Sequence, residues 1–347
     1  MEPKSELFKG TKAMTINFVG EKKFIFSEVE RLLKRSSLTN QYTNDGPLKQ
    51  KLECLLEEKL KITGDKKIIC VNSGTSALHA ILLLLKRKNR RNFLTPAFTF
   101  PSVMCNKSVS IEIADIDPRT FTLSLDKILD SEVDGVIITN LFGTYSELEK
   151  WADYCEEHRK ILIYDNASSP LSSFQGINIC NFGDYSFGSL HHTKYLGVGE
   201  GGFIVAPSKD YDQLQAICNF GFDASRDYHP LSSNFKMSDI SAAYIISHLN
   251  NYSAKKHLEA QEKLITGIEN KKLFRYKDGV VYGSFPIISE EGYDLQSPLV
   301  EIKKYYRPLS QLPQSVDLYK KVYNFPLYAS LSDDQLETII GYIRGLR

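Results

Sequence analysis

Lys67-Ile-Ile-Cys-Val-Asn72, then Ser73-Gly-Thr-Ser76, then Ala77 to Leu85 is the stretch on which the fold turns. Its first part is an apolar, β-branched run and reads as a buried strand. Its last part is apolar all round and reads as a buried helix. The pattern continues on both sides. Upstream, Leu48, Leu52, Leu55 and Leu56 make an apolar stripe on a helix. Downstream, Asn92 to Thr95 is a second short strand, stopped by Pro96. Ile111 to Ile116 is a third strand and Gly135 to Asn140 a fourth. Leu148, Trp151, Ala152 and Cys155 then follow the i, i+3, i+4, i+7 spacing of an amphipathic helix. Ile161-Leu-Ile-Tyr-Asp165 is a fifth strand that ends on a carboxylate. Strands alternating with helices predict an α/β fold, its mainly parallel sheet covered on both faces. In such sheets ligands sit at the carboxyl ends of the strands.

The pattern changes after about residue 250. Lys255 to Glu269 reads as a charged helix and Val280 to Ile288 as a strand. Ser332-Asp-Asp-Gln335 is a capping box opening a helix with Leu336, Ile339, Ile340 and Ile343 on one face. The expected division is a large domain, 1–250, with an N-terminal arm, and a smaller α+β domain, 251–347. A length of 347 residues suits such a pair.

Composition excludes several classes. Forty-three basic residues against 42 acidic ones leave a net charge of +1, so nothing global favours nucleic acid or an anionic membrane. The main charge run, Lys86 to Arg91, reads as a solvated turn after a helix, with a polyanion patch as the alternative. Apolar stretches such as Ile81 to Leu85 are too short to span a bilayer. The opening Met1-Glu-Pro-Lys-Ser-Glu6 lacks the apolar core of a secretory leader, so a soluble, cytoplasmic protein is expected. Cysteines stand at 54, 70, 105, 155, 180 and 218, with no CxxC or zinc-type spacing, and no HExxH occurs. No metal site is expected.

Three features carry chemistry. Ser73-Gly-Thr-Ser76 lies where a strand passes into a helix, so free N–H groups, the helix dipole and the side-chain hydroxyls could hold an anion. An ordinary helix cap would look the same. Asp165 closes a buried strand and needs a partner, either a structural salt bridge or cap, or a protonated heterocyclic nitrogen. Lys194 lies between a strand-like run and a glycine-rich loop; taken alone it reads as a surface lysine, but in a cleft it could bond an aldehyde. Gly197, Gly199 and Gly202 match GxGxxG, yet strand-like Phe203 to Ala206 follows instead of a helix, so the dinucleotide reading fails. A phosphate-binding turn, a strand-end acid and a loop lysine, in that order, suit pyridoxal 5′-phosphate (PLP).

At these residues the sequence resembles the DegT/StrS-type sugar aminotransferases, PLP enzymes of fold type I. The likeness runs from about residue 36 to the C-terminus. Leu38-Thr-Asn40 and Thr43-Asn-Asp-Gly-Pro47 resemble the segment before the family's first helix. Ser73-Gly-Thr-Ser-Ala-Leu78 resembles its phosphate-binding turn, and Thr95-Pro-Ala-Phe-Thr-Phe-Pro-Ser102 the segment whose aromatic residue stacks on the pyridine ring. Ala114-Asp-Ile-Asp117 and Thr122-Leu-Ser124 fit the next strand and loop. Tyr164-Asp-Asn-Ala167 resembles the motif of the ring-nitrogen aspartate, and Ser189-Leu-His-His-Thr-Lys194 with Glu200-Gly-Gly202 that of the cofactor-bonding lysine. Asn219-Phe-Gly-Phe222 and Asn234-Phe-Lys-Met-Ser238 resemble the segment that crosses the dimer interface.

The resemblance implies a seven-stranded, mainly parallel sheet, with Lys194 and Asp165 catalytic. It implies cofactor contacts from Gly74, Thr75, Ser76, Phe100, Asp165, Ala167, Ser168, Ser189, Lys194 and Asn234, the last reaching the partner subunit's site. Asn44, His191, His192, Lys236 and Tyr306 become candidates for substrate contact. The implied reaction moves an amino group from L-glutamate, through pyridoxamine phosphate, to a nucleotide-linked 4-keto-6-deoxyhexose in a homodimer. The subgroup signal points to viosamine synthases on a dTDP carrier, with GDP-perosamine synthases and 3-aminotransferases as neighbours. A sugar 3-dehydratase would carry His in place of Lys194. A silent sensor on the same scaffold would have no need of the Asp165–Lys194 pair. Three departures stand out: Ser168 replaces the usual Gln or His that contacts the phenolic oxygen, Asn140 a frequent His, and Ser310 another.

Overall fold

Seven strands form one sheet in the order β1-β9-β8-β5-β4-β2-β3, in a computed structural model. It describes residues 15–346 apart from 130, 146, 169, 223–226, 269–272, 275 and 290–294. Along the chain the main elements are α1 (Phe26–Thr39), α2 (Pro47–Lys59), β1 (Lys66–Val71), α3 (Gly74–Arg87), β2 (Asn92–Pro96), β3 (Ser110–Ala114), α4 (Leu125–Leu129), β4 (Gly135–Thr139) and α5 (Leu148–Glu157). Then come β5 (Ile161–Asp165), β6 (Ser173–Phe174), β7 (Ile177–Asn178), β8 (Tyr185–Ser189), β9 (Gly202–Pro207), α6 (Tyr211–Cys218), α7 (Asp239–Asn251) and α8 (Ala254–Gly267). β10 (Phe285–Ile288), α9 (Pro313–Lys321), β11 (Val322–Phe325) and α10 (Asp333–Gly345) complete the chain. Met1 to Glu6 and Glu269, both used in the sequence reading, lie outside the described residues.

The β2–β3, β2–β4, β4–β5 and β5–β8 pairs are parallel, while β9 is antiparallel to both β8 and β1. Only β9 therefore runs against the rest. The carboxyl ends of β1, β2, β4, β5 and β8 lie along one edge. That edge carries Ser73, Phe98 to Phe100, Asn140, Asp165 and Ser189.

Helices cover both faces, as the alternating pattern predicts. On one face, Leu78, Ile81, Leu82 and Leu85 of α3 pack with Phe93, Ile137, Ile163, Phe187 and Ile204 of the sheet. On the other, Leu48, Leu52 and Leu56 of α2 and Ile245, Ile246 and Leu249 of α7 pack with Ile68, Cys70, Phe203 and Val205. A third cluster joins Trp151, Val136, Ile138 and Leu162 to Leu264, Phe285, Ile339 and Ile343 of the C-terminal elements.

Long-range polar contacts fix the helices. The outer edge of β1 would leave N–H groups unpaired, and α2 covers it: Glu57 accepts from Ile68 N and Glu53 from Cys70 N. Lys49, itself buried, pairs with Glu53 at 2.7 Å. Asp239, fully buried at the start of α7, accepts from Leu48 N, Lys49 N and the Ser36 hydroxyl. It thereby caps α2, whose own N-cap, Gly46, has no side chain to do so. Asp239→Ala should lower the free energy of unfolding by about 3 kcal/mol, because it orphans several buried donors at once. A urea titration that finds a loss below about 0.5 kcal/mol, the size of an ordinary surface change, would count against this account.

Two sequence boundaries need correction. The run Val280 to Ile288 becomes a strand only at Phe285. Before that, side chains and a loop take its N–H groups: Val281 donates to Ser172 Oγ, Tyr282 to Gln261 Oε1 and Gly283 to the Phe142 carbonyl. The third strand stops at Ala114, short of Ile116. There Asp115 turns out to cap α9 through Gln314 N, Ser315 N and the Ser315 hydroxyl.

Candidate active site

A cavity of about 380 Å³ opens at the carboxyl edge of the sheet. Asp165 and Ser189 reach it as the last residues of β5 and β8, and Gly74 and Thr75 as the first turn of α3. Phe100, Ala167, Ser168, His191, Lys194 and Tyr306 also line it. Sequence positions as far apart as 74 and 306 thus meet at one place.

The helix end is built for an anion. The Ser73 hydroxyl accepts from Ser76 N at 3.1 Å, and the Ser73 carbonyl accepts from Ala77 N. Gly74 N–H and Thr75 N–H have no partner within the helix and remain for a ligand. Glycine is required where the turn passes the sheet: a Cβ on Gly202 would lie 2.4 Å from the Ser73 carbonyl carbon. A Cβ on Gly74 would press on the Ser189 side chain at 3.2 Å. Ser189 therefore sits against the turn, its hydroxyl accepting from His191 N at 3.2 Å.

Asp165 is 5% exposed. One oxygen accepts from Ala167 N at 2.9 Å; the other has no hydrogen-bond partner among the described residues. Lys194 lines the same cavity, yet no ion pair joins the two among the described residues. Burial drives the Lys194 ammonium below its ordinary range, and the charge of Asp165 opposes that only in part. Burial likewise pushes Asp165 up to about 6, against the Ala167 N–H and the Lys194 charge. An acid and an amine that share a buried cavity without touching leave room for a third group between them. A pyridine ring with an aldehyde and a phosphate arm fits this donor set. Its nitrogen would meet Asp165, its aldehyde Lys194 and its phosphate the turn.

The raised acid predicts a pH dependence without cofactor. Asp165 binds its proton more tightly folded, at about 6, than unfolded, at about 3.9. It therefore favours folding below about pH 4, and that contribution is lost as the pH rises through about 6. The loss from this group amounts to about 3 kcal/mol. Urea unfolding across this window should show a shallower decline for Asp165→Asn than for the parent; identical slopes would refute the assignment.

Not every expected residue lies in this cavity. Ser76 is absent from its lining, its hydroxyl held by Ser73 at 3.0 Å. His192 is exposed and outside it. His191 is 42% exposed, its ring bonded to Thr193 at 2.9 Å and facing Glu200 at 3.5 Å. Asn44 and Lys236 line a second cavity, with Phe222 and Tyr228. Lys236 there bonds Asn219 at 2.7 Å and lies over the Phe220 ring. Asn234 lies off the first cavity too, its backbone bridged to Asn219.

The structure also adds residues that sequence reading missed. Phe18, Phe142, Gly283 and Tyr305 line the cavity. Lys22 donates to the Lys194 carbonyl at 2.6 Å, and burial lowers it to about 8. No local motif marks these residues; the first four reach the cavity through long-range packing, and Lys22 lies outside its lining. Asn140, at a position of interest in the sequence, is buried and donates to Asn166 at 2.7 Å.

The chain is also similar to known proteins. A profile of the DegT/DnrJ/EryC1/StrS aminotransferase family matches residues 21–272. A dTDP-4-amino-4,6-dideoxy-D-glucose transaminase of Shigella dysenteriae is 26% identical over 88% of this chain and 92% of its own. A GDP-perosamine synthase of Caulobacter vibrioides is 26% identical over 60% of this chain and 58% of its own. The crystal structure of a DegT DnrJ EryC1 StrS aminotransferase from Brucella abortus superposes with a TM-score of 0.81 at 20% identity. That superposition covers 92% of this chain and 95% of the other.

Proposed function

Because the chain belongs to the DegT/DnrJ/EryC1/StrS aminotransferase family, whose members are PLP-dependent sugar aminotransferases, we propose that it aminates a nucleotide-linked 4-keto-6-deoxyhexose. L-Glutamate is the donor in this reading, and dTDP-4-keto-6-deoxy-D-glucose the acceptor. The observation that carries it is the unpaired meeting of Asp165 and Lys194 in one cavity. The near-full-length likeness to the dTDP-sugar transaminase supports the choice of acceptor.

When bound, PLP supplies an aldehyde and an electron-withdrawing ring that accepts the electron pair left at the reacting carbon. The chain's own residues do the rest. Asp165 keeps the ring nitrogen protonated, and its buried setting strengthens that contact. Gly74 N–H, Thr75 N–H and the Ser189 hydroxyl hold the phosphate. Phe100 and Ala167 would sandwich the ring; the Phe100 side chain, 51% exposed where it lines the cavity, supports this. Lys194 Nζ, whose ammonium form burial disfavours, would take a proton from the amino-bearing carbon of the donor. It returns a proton to C4 of the sugar in the second half-reaction.

A homodimer with shared sites belongs to the same reading. The exposed rings of Phe220, Phe222 and Tyr228, beside Asn44 and Lys236, support a partner on that face. Asn234 would then serve the partner's cofactor. The segment from 251 onward is read as a smaller domain packed over the site.

The test is a panel of dTDP-, GDP- and UDP-linked ketosugars, each offered with L-glutamate and PLP. Formation of 2-oxoglutarate with the dTDP-4-keto sugar is expected. Turnover only with a GDP-linked sugar would move the assignment to the perosamine type, and no turnover with any member would contradict it.

A further inference from the structure

Resting on the cofactor reading above, we propose that Tyr306, positioned by Ser168, donates the hydrogen bond to the phenolic oxygen of the cofactor. Both residues line the cavity, and both are buried, Ser168 at 7% and Tyr306 at 9% exposure. Their hydroxyl oxygens lie 2.9 Å apart. Two hydroxyls in such a pair share one proton on the line between them. The second proton has no acceptor among the described residues. A buried O–H left without an acceptor is costly, so the pair points to an acceptor that arrives with a ligand.

The other cavity groups narrow down which acceptor. Asp165 is matched to the ring nitrogen, Lys194 to the aldehyde, and the α3 turn with Ser189 to the phosphate. The phenolic oxygen is what remains; it neighbours the aldehyde on the ring edge away from the phosphate arm. Ser168 follows Asp165 by three residues and lines the same cavity. Its short side chain leaves the space that the Tyr306 ring fills. That ring is held firmly: it stacks on Phe142 at 5.6 Å with planes 5° apart, and meets the edges of Phe98 and Phe100 at 6.0 and 6.2 Å. Burial and the charge of Asp165 keep the phenol protonated, and therefore a donor, at neutral pH.

The experiment uses the full chain loaded with PLP and no substrate. Cofactor affinity and the pH titration of the bound cofactor's visible absorbance are measured for the parent, Tyr306→Phe, Ser168→Ala and the double variant. Phe keeps the aromatic stack and removes only the hydroxyl. The donor favours negative charge on the phenolic oxygen, so its loss should move the titration midpoint upward by about one pH unit. Affinity should fall about tenfold. Ser168→Ala should shift both in the same direction by less, and the double variant should match Tyr306→Phe, since Ser168 acts through Tyr306. A Tyr306→Phe variant that binds cofactor and titrates like the parent overturns the inference, including when only its KM for the sugar changes. A parent that takes up no PLP overturns the proposed function and this inference together.

Discussion

Lys194→Ala is expected to lower turnover by about 10³-fold or more, because one group both bonds the cofactor and carries the proton. The loss should fall on kcat, since the helix turn, Asp165 and Phe100 would still hold the cofactor. Borohydride reduction of the loaded parent should attach the cofactor covalently to the peptide containing Lys194. The alanine variant should release it intact. Lys194→Arg should be equally inactive: the guanidinium stays protonated and cannot take a proton from carbon. A variant with parental turnover, or a reduced cofactor found on Lys22 instead, would remove Lys194 from its role. Lys22 is the pertinent control, being another amine at this loop that burial pushes down, to about 8.

Asp165→Asn should lower kcat by about 10² to 10³-fold while retaining bound cofactor, because a neutral amide cannot hold the ring nitrogen in its protonated state. The same change should stabilise the cofactor-free chain above about pH 6, where the parent must keep a buried carboxylate charged. Activity and stability thus move in opposite directions at one residue, as expected where a site stores unfavourable burial for use on its ligand. Chemical denaturation and steady-state kinetics on the same preparation check both signs. A variant that loses stability and activity together would mark Asp165 as a structural cap only.

Much of this was legible in the sequence because the decisive residues stand at the ends of buried runs. Ile161 to Tyr164 must be a strand to hide its side chains, so Asp165 falls at its end. Ser73 must start a helix, because the apolar run Ala77 to Leu85 needs burial on every side. The spacing of such ends along the chain carries the parallel sheet with it. What did not show is whatever depends on partners distant in sequence. The antiparallel direction of β9 cannot be read from Phe203 to Ala206, since a buried strand looks the same either way. Tyr306 stands at a motif position in the sequence, yet its pairing with Ser168 spans 138 positions and follows from aromatic packing that no local pattern encodes. Phe142 gave no signal either; it takes a positive φ of 55° and is held beneath Tyr306. The strand expected from Val280 was cut short by side chains of Ser172 and Gln261, which lie in other segments.

The central claim is that this cavity moves an amino group onto a nucleotide-linked ketosugar. The most direct measurement supplies ¹⁵N-labelled L-glutamate, PLP and dTDP-4-keto-6-deoxy-D-glucose, and follows the label by NMR. The account predicts ¹⁵N bonded to C4 of the sugar and an equal amount of 2-oxoglutarate. Cofactor-loaded protein that leaves the label on glutamate, with no sugar amine formed, would contradict it.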